Sequence, residues 1–580
     1  MNGHQTYTEH IQAQAAATPD REALILLTDR DGTLSPRTVT YGELDRAARS
    51  LAACLRRHVR PGERVLLAHR SRERFVTGLI ACLYAGAVAV PVAPPGGRGH
   101  HDARIAGIVK DSAAACVLTS AAEAAEVSQL LARTGHGQVV CLPADGPAAT
   151  AHAPAEPFEA LPDTVAYLQY TSGSTREPRG VIVTHRSLIA NQRAITEALG
   201  TRPGSRIGGW LPLHHDMGLA GQVLHALWLG GTAVLMTPGS FVKRPANWLE
   251  TISRYGLTAS GAPDFAYELC VRRVNDSQLA GLDLSRWEVA VNGGEPVGPE
   301  TLGRFAERFA PAGLRPGALA ACYGLAEATL LVSGTPAAPA AATRTVDAAA
   351  LEAGVLAAPA GRARTLAHCG PPASVELRVV DPVTRRALPD GRIGEIWVRG
   401  AAVGPGYWAR PAETAAAFGC RIEGEDGGYL RTGDLGALGE GVLHVTGRLK
   451  DMIVIAGRNL YPQDLERAAQ QVSGLFGAAT AFAVPGGRER VVVVQELRAR
   501  SEYDIDLAAL AAAVIKRLGE EFEIRTSAVL LVRPGTVRRT TSGKVERAAM
   551  RELFLRGELT PLYQRIEPEI EELLAAGRRR

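Results

Sequence analysis

The sequence predicts an α/β protein, and three textures along the chain carry that prediction. Short runs rich in Val, Ile and Leu recur between longer helical stretches, as in RVLLAH (64–69), AACVLTS (114–120), TAVLMTP (232–238) and EVAVNGG (288–294). Strands that alternate with helices imply βαβ units and largely parallel sheets covered on both faces. From Val375 the texture changes to closely spaced strands with Gly-rich turns, VELRVVD, EIWVRG and VLHVTGR, which suits a small antiparallel sheet or barrel. After Lys450 a compact α+β unit follows, with IVIAG, the helix-like PQDLERAAQQV, the strand VVVVQEL and the helix DLAALAAAVIKRLGEEF.

The bulk numbers agree with this division. A chain of 580 residues is too long for one hydrophobic core. With 46% apolar and 21% charged residues, the composition is that of a globular protein. The net charge of +4 is small, and the one unrelieved basic run, Arg578 to Arg580, reads as a tail rather than a nucleic-acid site, so no nucleic-acid partner is expected. The eight cysteines are scattered, with no C-x-x-C pair and no zinc-like Cys/His spacing, which fits a reducing cytoplasm. The N-terminus lacks the layout of a signal peptide. The uncharged stretch Phe75 to Gly97 is long enough for a membrane span, but Gly78, Gly86, Pro91, Pro94 and Pro95 interrupt it. A buried helix ending near Gly86 and a strand AVAVPV explain it better, and no membrane insertion is expected. Residues 143–157 and 335–364 read as linkers or surface insertions. The second is mostly Ala, Pro and small polar residues, too poor in large apolar groups to form a core segment alone.

Five motifs carry chemistry. YTSGSTREPRG (170–180) follows a strand-like TVAYLQY and can wrap phosphate oxygens with backbone N–H groups and the hydroxyls of Thr171, Ser172, Ser174 and Thr175 around Gly173. It is neither a Walker A loop nor a dinucleotide fingerprint. In ACYGLAEAT (321–329), Tyr323 and Gly324 precede Glu327, a carboxylate able to hold Mg²⁺, which takes one or two protein carboxylates and fills its shell with phosphate and water oxygens. In YLRTGDLG (429–436), Asp434 on a Gly-Asp turn can accept hydrogen bonds from ribose hydroxyls. Arg448 to Asp451 lies between two strand-like runs, as an exposed hinge would. RRTTSGKVER (538–547) presents Lys544 on a polar loop. Each has an ordinary structural reading when taken alone. His214, His215 and Asp216 suggest a metal site, but neighbouring side chains on a strand or turn seldom converge on one ion.

Read in order, TSGSTREPRG, LPLHHDMGL (211–219), NGGEP (292–296), YGLAEAT, RTGD, GRLKDMI and TSGKVER resemble the motif series of the adenylate-forming superfamily, which contains acyl-CoA synthetases, adenylation domains of non-ribosomal peptide synthetases, and luciferases. The resemblance spans nearly the whole chain. It implies a large N-terminal domain, 1–449, of two parallel-sheet α/β subdomains plus a small β-barrel-like subdomain. A small mobile α+β lid, 450–580, would carry the catalytic lysine. It further implies that Thr171 to Thr175 embrace the ATP phosphates, and that Gly293, Gly294 and Glu295 line the adenine site with Tyr323 and Gly324 nearby. Glu327 would bind Mg²⁺, Asp434 and Arg448 would hold the ribose, and Lys450 would be the hinge. Lys544 would bridge the substrate carboxylate and the α-phosphate, while His215, Asp216 and Met217 shape the acyl pocket.

Within the superfamily the chain resembles the fatty acyl-AMP ligases. Arg176 in the phosphate loop, the text LPLHHDMGL and 240–274, and an insertion between YGLAEAT and HCGPP, about 331–369, carry that resemblance. It implies activation of a medium- or long-chain fatty acid by ATP. The acyl group would then pass to the phosphopantetheine thiol of an acyl carrier protein, expected on a separate chain. An acyl-CoA synthetase using free coenzyme A stays open as the alternative. An amino-acid enzyme would need a carboxylate such as Asp264, but the text around it, APDFAYELC, is that of the fatty-acid branch. A non-catalytic adenylate-binding protein would have no need of Glu327, Asp434, Arg448 and Lys544.

Overall fold

The computed structural model describes all residues except 1–3, 31, 95, 97–98, 147–154, 171–177, 335–342, 456, 485–489, 499–504, 541–542 and 578–580. Two parallel-rich sheets form its bulk. In the first, Val140–Pro143, Cys116–Thr119, Arg64–Leu67, Val88–Pro91, Val165–Tyr170 and Gly180–Thr184 lie side by side in that order. All pairings but the last are parallel. In the second the order is Leu331–Gly334, Leu319–Gly324, Val289–Asn292, Ala259–Ala262, Arg206–Gly209, Thr232–Leu235, Glu22–Arg30 and Thr33–Thr40, with an antiparallel strand at each edge. The predicted strands are therefore where the apolar runs place them, because residues such as Val65, Leu66 and Leu67 are buried on both faces. The stretch beginning at Phe75 is a helix, Arg72–Ala85, capped by Ser71 and ended by Gly86 at φ +73°, followed by the strand Val88–Pro91. Among the described residues no helix is long and apolar enough to cross a membrane.

The third sheet, Glu376–Val380, Gly394–Arg399, Leu430–Gly439 and Val442–Arg448, is antiparallel throughout. The fourth, Phe476–Val484, Arg490–Leu497, Thr526–Val532 and Tyr563–Ile566, has its own core: the helices Pro462–Gln470 and Leu507–Phe522 pack on it through Leu465, Ala469, Val514 and Leu518.

The structure refines three expectations. The segment 335–364 is not a coreless linker: of its described residues, Thr343–Asp347 pairs antiparallel with Ala363–Ala367, and the helix Ala348–Glu352 lies between them. Its few large apolar residues, Val346, Leu351 and Leu356, bury together with Leu366, Leu435 and Tyr461. Asp434 is not on a turn but inside the strand Leu430–Gly439, where Gly433 at φ +72° and a register shift at Leu435 kink the ladder. His214 and His215 lie on a turn, as expected, closed by the His215 amide donating to the Pro212 carbonyl at 3.1 Å, but Asp216 already belongs to the helical segment that follows. Asp216 caps a π-helix, Met217–Leu224, its carboxylate accepting from the Met217 amide at 2.8 Å.

Candidate active site

The carboxyl ends of Val165–Tyr170, Arg206–Gly209, Ala259–Ala262, Val289–Asn292 and Leu319–Gly324 open onto one cleft of about 1910 Å³. That is where open α/β sheets bind ligands, since the loops leaving the strands diverge there. The third sheet supplies Asp434 and Arg448 to the same cleft, and the C-terminal unit supplies Lys544.

Gly293, Gly294 and Glu295 leave the strand Val289–Asn292 directly into the cleft. Gly294 has φ +82°, a conformation that favours glycine, and a Cβ there would stand 2.9 Å from the Met217 sulfur and have to displace it. Glu295 Oε1 accepts from the Phe265 amide at 2.7 Å, yet burial pushes its carboxyl up to about 7. On the strand Leu319–Gly324, Tyr323 donates its hydroxyl to Asp434 Oδ2 at 2.8 Å, and Arg448 Nε lies 3.1 Å from Oδ1. Asp434 in turn raises the Arg448 guanidinium further. A carboxyl group held on both oxygens keeps lone pairs for further donors, so this trio can accept a sugar hydroxyl. A Cβ on Gly324 would collide with the Leu330 carbonyl oxygen, which keeps that corner narrow.

Glu327 sits on a short 3₁₀ turn, Ala326–Ala328, and its Oε1 accepts from the Tyr407 hydroxyl at 2.8 Å. Burial raises its carboxyl, with the Tyr407 hydrogen bond opposing. The Arg179 guanidinium lies 5.7 Å from the Tyr407 ring centroid. A single carboxylate oriented by a neutral hydroxyl is a donor set that suits Mg²⁺ completed by phosphate and water oxygens. Among the described residues no group of three or more His, Cys, Asp or Glu is placed to hold a metal ion by itself.

Lys544 enters from the C-terminal unit on a loop built to hold it. The Thr540 amide donates to the Lys544 carbonyl at 2.8 Å, and the Lys544 amide to Thr540 Oγ1 at 3.1 Å. Arg547, opening the next helix, pairs with Glu466 through two hydrogen bonds of 2.7 Å. Gly543, at φ +91°, lies so close to Phe265 that a Cβ would stand 2.6 Å from the ring. Burial lowers the Lys544 ammonium, while Asp216 and Glu295 hold it up. Lys450 lies at the turn between Val442–Arg448 and Ile453–Ile455, and partial desolvation of its ammonium, with the Arg448 charge nearby, lowers it as well.

Met217, as the Gly294 contact shows, faces the same cleft wall, with His215 and Asp216 beside it. Burial is the first cause of the fall at His215, and it raises the Asp216 carboxyl. Asp264 Oδ1 accepts from Asn292 Nδ2 at 2.8 Å and from the Gly298 amide at 3.0 Å, so it serves to tie two loops together.

A family model described as AMP-binding enzyme matches residues 11–408. The chain is 37% identical to the medium-chain-fatty-acid–[acyl-carrier-protein] ligase JamA of Moorena producens (strain JHB), over 93% of each chain. It is 36% identical to the 4-hydroxyphenylalkanoate adenylyltransferase of Mycobacterium tuberculosis, over 95% of this chain and 92% of that one. A fatty acyl-adenylate ligase from L. pneumophila, solved in complex with acyl adenylate and pyrophosphate, superposes with a TM-score of 0.74 at 32% identity, over 97% of this chain and 98% of that one. This chain belongs to the AMP-binding enzymes, on the fatty acyl-AMP ligase branch.

In this AMP-binding enzyme the cleft brings together Gly293, Gly294, Glu295, Tyr323, Gly324, Glu327, Asp434, Arg448, Lys450, Lys544 and the His215–Met217 turn. Thr171, Ser172, Gly173, Ser174 and Thr175, with Arg176, lie outside the described residues. Sequence reasoning missed Tyr407, whose only signal is an aromatic pair, Tyr407-Trp408, after a Gly-Pro-Gly turn, far along the chain from Glu327. It also missed Gln169, which donates from Nε2 to the His214 carbonyl at 2.8 Å and so joins the phosphate-loop strand to the HDMGL turn.

Proposed function

We propose that this enzyme activates a medium- or long-chain fatty acid with ATP and Mg²⁺, then passes the acyl group to the phosphopantetheine thiol of an acyl carrier protein on another chain. The convergence of Lys544 with Asp216, Glu295 and the Tyr323–Asp434–Arg448 trio in one cleft carries the reading. A fatty carboxylate attacks the α-phosphorus of ATP, the bond to the β-phosphate oxygen breaks, and pyrophosphate leaves. Both reactants are anionic, so a cation placed between them lowers the barrier, typically by about 3–4 kcal/mol. Lys544 is that cation in this reading. Glu327 holds Mg²⁺, which neutralises the phosphate charge when bound, and Tyr407 orients Glu327. Asp434 and Arg448 hold the ribose, Gly293 to Glu295 and Tyr323 the adenine, and Thr171 to Thr175 the phosphates. In the second step the thiol sulfur attacks the acyl carbonyl and AMP leaves.

Residues 450–580 act as the lid, hinged at Lys450, with 1–449 as the body. The acceptor assignment draws support from the ligase of Moorena producens, whose printed activity is towards acyl carrier protein, and from the insertion's grip on the lid through Glu352 and Arg458. Free thiols at all eight cysteines suit the cytoplasm as its location. The test presents dodecanoate, ATP and Mg²⁺ with carrier protein and free coenzyme A together, and identifies the acylated product by mass. Acyl-carrier protein is the expected product. A coenzyme A thioester as the main product would overturn the acceptor, and no acid-dependent pyrophosphate release would overturn the activation.

A further inference from the structure

Beyond the nucleotide half, the cleft wall is largely apolar, with Ile195, Leu199, Ile207, Val291 and Leu331 among its lining. Four buried polar side chains interrupt it: Thr201, Gln222, His225 and Ser260, with relative exposures of 8%, 3%, 1% and 2%. Their hydrogen bonds fix which of them still offer anything to a ligand. Gln192 Nε2 donates to the Ala220 carbonyl at 3.1 Å, so its Oε1 faces His225 Nδ1 at 2.7 Å and the imidazole donates there. Burial pushes His225 down to about 3, leaving the ring neutral, and its Nε2 accepts from the Thr201 hydroxyl at 2.9 Å. The Thr201 proton is thereby spent, and the oxygen offers lone pairs only.

Ser260 is likewise committed, donating to the Gly208 carbonyl at 2.6 Å and accepting from Trp248 Nε1 at 2.9 Å. Gln222 is the exception. Its Nε2 faces the Gly261 carbonyl at 3.4 Å, which sets the amide orientation, and its Oε1 has no hydrogen-bond partner among the described residues. Of these four side chains, only Gln222 therefore keeps an acceptor atom without a partner among the described residues. A buried acceptor left unpaired costs about 1–3 kcal/mol, and a plain alkyl chain cannot relieve it. Gln222 lies on the π-helix that begins at Met217, five residues further along the chain and more than one turn from it. Met217 is at the reacting end, beside Gly294, whose Cβ position is 4.0 Å from Lys544 Cε. A donor that meets Gln222 is thus set back from the carboxylate.

We propose that Gln222 selects the acyl chain, and that the preferred acid carries a hydroxyl on the interior of its chain, donated to the Gln222 carbonyl oxygen. The inference rests on the fatty-acid reading above and narrows its substrate class. The test measures pyrophosphate release by the full-length enzyme with ATP and Mg²⁺. The acids are dodecanoate, dodecanoates hydroxylated at successive interior positions, and a 4-hydroxyphenylalkanoic acid as a phenolic donor. At least one hydroxylated acid is expected to exceed dodecanoate in kcat/KM by about tenfold or more, because a site built for a hydroxyl rejects the analogue that lacks it. Whether the best acid is aliphatic or phenolic names the source of the hydroxyl, and either supports the proposal.

Gln222→Leu is expected to shrink that ratio to within about threefold. Gln222→Met, unbranched and of similar length, gives the same readout if the Leu variant does not fold. A wild-type enzyme that prefers dodecanoate to every hydroxylated acid, or a ratio unchanged in a folded Gln222 variant, overturns the proposal alone. Turnover of none of the acids overturns the fatty-acid reading and this inference with it.

Discussion

Replacing Glu352 with glutamine is expected to loosen the lid and raise acyl transfer to free coenzyme A. Glu352, 8% exposed, ends the short helix of the insertion. Its Oε1 accepts from Arg362 Nη2 at 2.5 Å and its Oε2 from Arg458 Nε at 2.7 Å, with Arg458 Nη2 also 2.7 Å away in the ion pair. Arg458 belongs to the C-terminal unit and also donates within it, from Nη2 to the Phe522 carbonyl at 2.7 Å, while Arg362 reaches across from the insertion to the Glu521 carbonyl. The carboxylate thus ties the insertion to the C-terminal unit, directly through Arg458 and by holding Arg362 against it. Hydrogen bonds to charged groups contribute about 1.5–3 kcal/mol each, against about 1 for neutral ones. The side chains of Arg362 and Arg458 are 37% and 30% exposed, so solvent screens much of that difference. For the isosteric change the expected loss is roughly 1–3 kcal/mol of docking free energy, about 5- to 150-fold in the ratio of docked to undocked lid. The assay supplies coenzyme A and carrier protein together and reads the thioesters by mass, with limited proteolysis near Lys450 reporting lid release. A coenzyme A share at least about fivefold higher is expected. Faster cleavage near Lys450 with an unchanged product ratio would refute the argument that the insertion's grip governs the acceptor.

Other outcomes follow from the cleft. Lys544→Ala is expected to lower pyrophosphate release by about a hundredfold or more with the melting temperature unchanged, since it deletes the preorganised cation. Because burial lowers the Lys544 ammonium from its ordinary 10.5, the alkaline limb of kcat/KM is expected below that pH, and Lys544→Arg is expected to move it upward. Glu327→Gln is expected to raise the Mg²⁺ concentration for half-maximal rate by about tenfold, checked by Mg²⁺ titration of the initial rate. Glu295 titrates near 7 in the folded, nucleotide-free protein against 4.5 unfolded. Between those values the native state binds more protons, so this group's contribution to stability falls as pH rises through that window. The melting temperature of Glu295→Gln relative to wild type is therefore expected to be higher at pH 8 than at pH 5.

What the sequence made legible follows from how local each cause is. The strands around Val65, Val117, Val234 and Val493 are buried on both faces, so their apolar runs announce them without knowledge of neighbours. Asp434, Arg448 and Lys544 were legible only as members of an ordered series, since nothing adjacent to any of them gives it a cleft to face. The insertion was legible as a segment without a core of its own, but not its order, because Val346, Leu351, Leu356 and Leu366 are spread thinly and become a core only against Leu435 and Tyr461. The π-helix escaped notice because its widened turn leaves no mark on a pattern of apolar residues. Tyr407 escaped because a hydroxyl reaches its carboxylate through folding, not through spacing.

The close approach of Gly543 to Phe265 has a bearing on tolerance. A lysine side chain is long and flexible, a poor ruler for placing a charge. Here the backbone just before it lies against the rigid Phe265 ring, so that ring limits how far the ammonium can travel inward. The calibration is mechanical, and it belongs jointly to two parts of the chain that could otherwise vary independently. A smaller residue at Phe265 would leave the charge intact and let it overshoot.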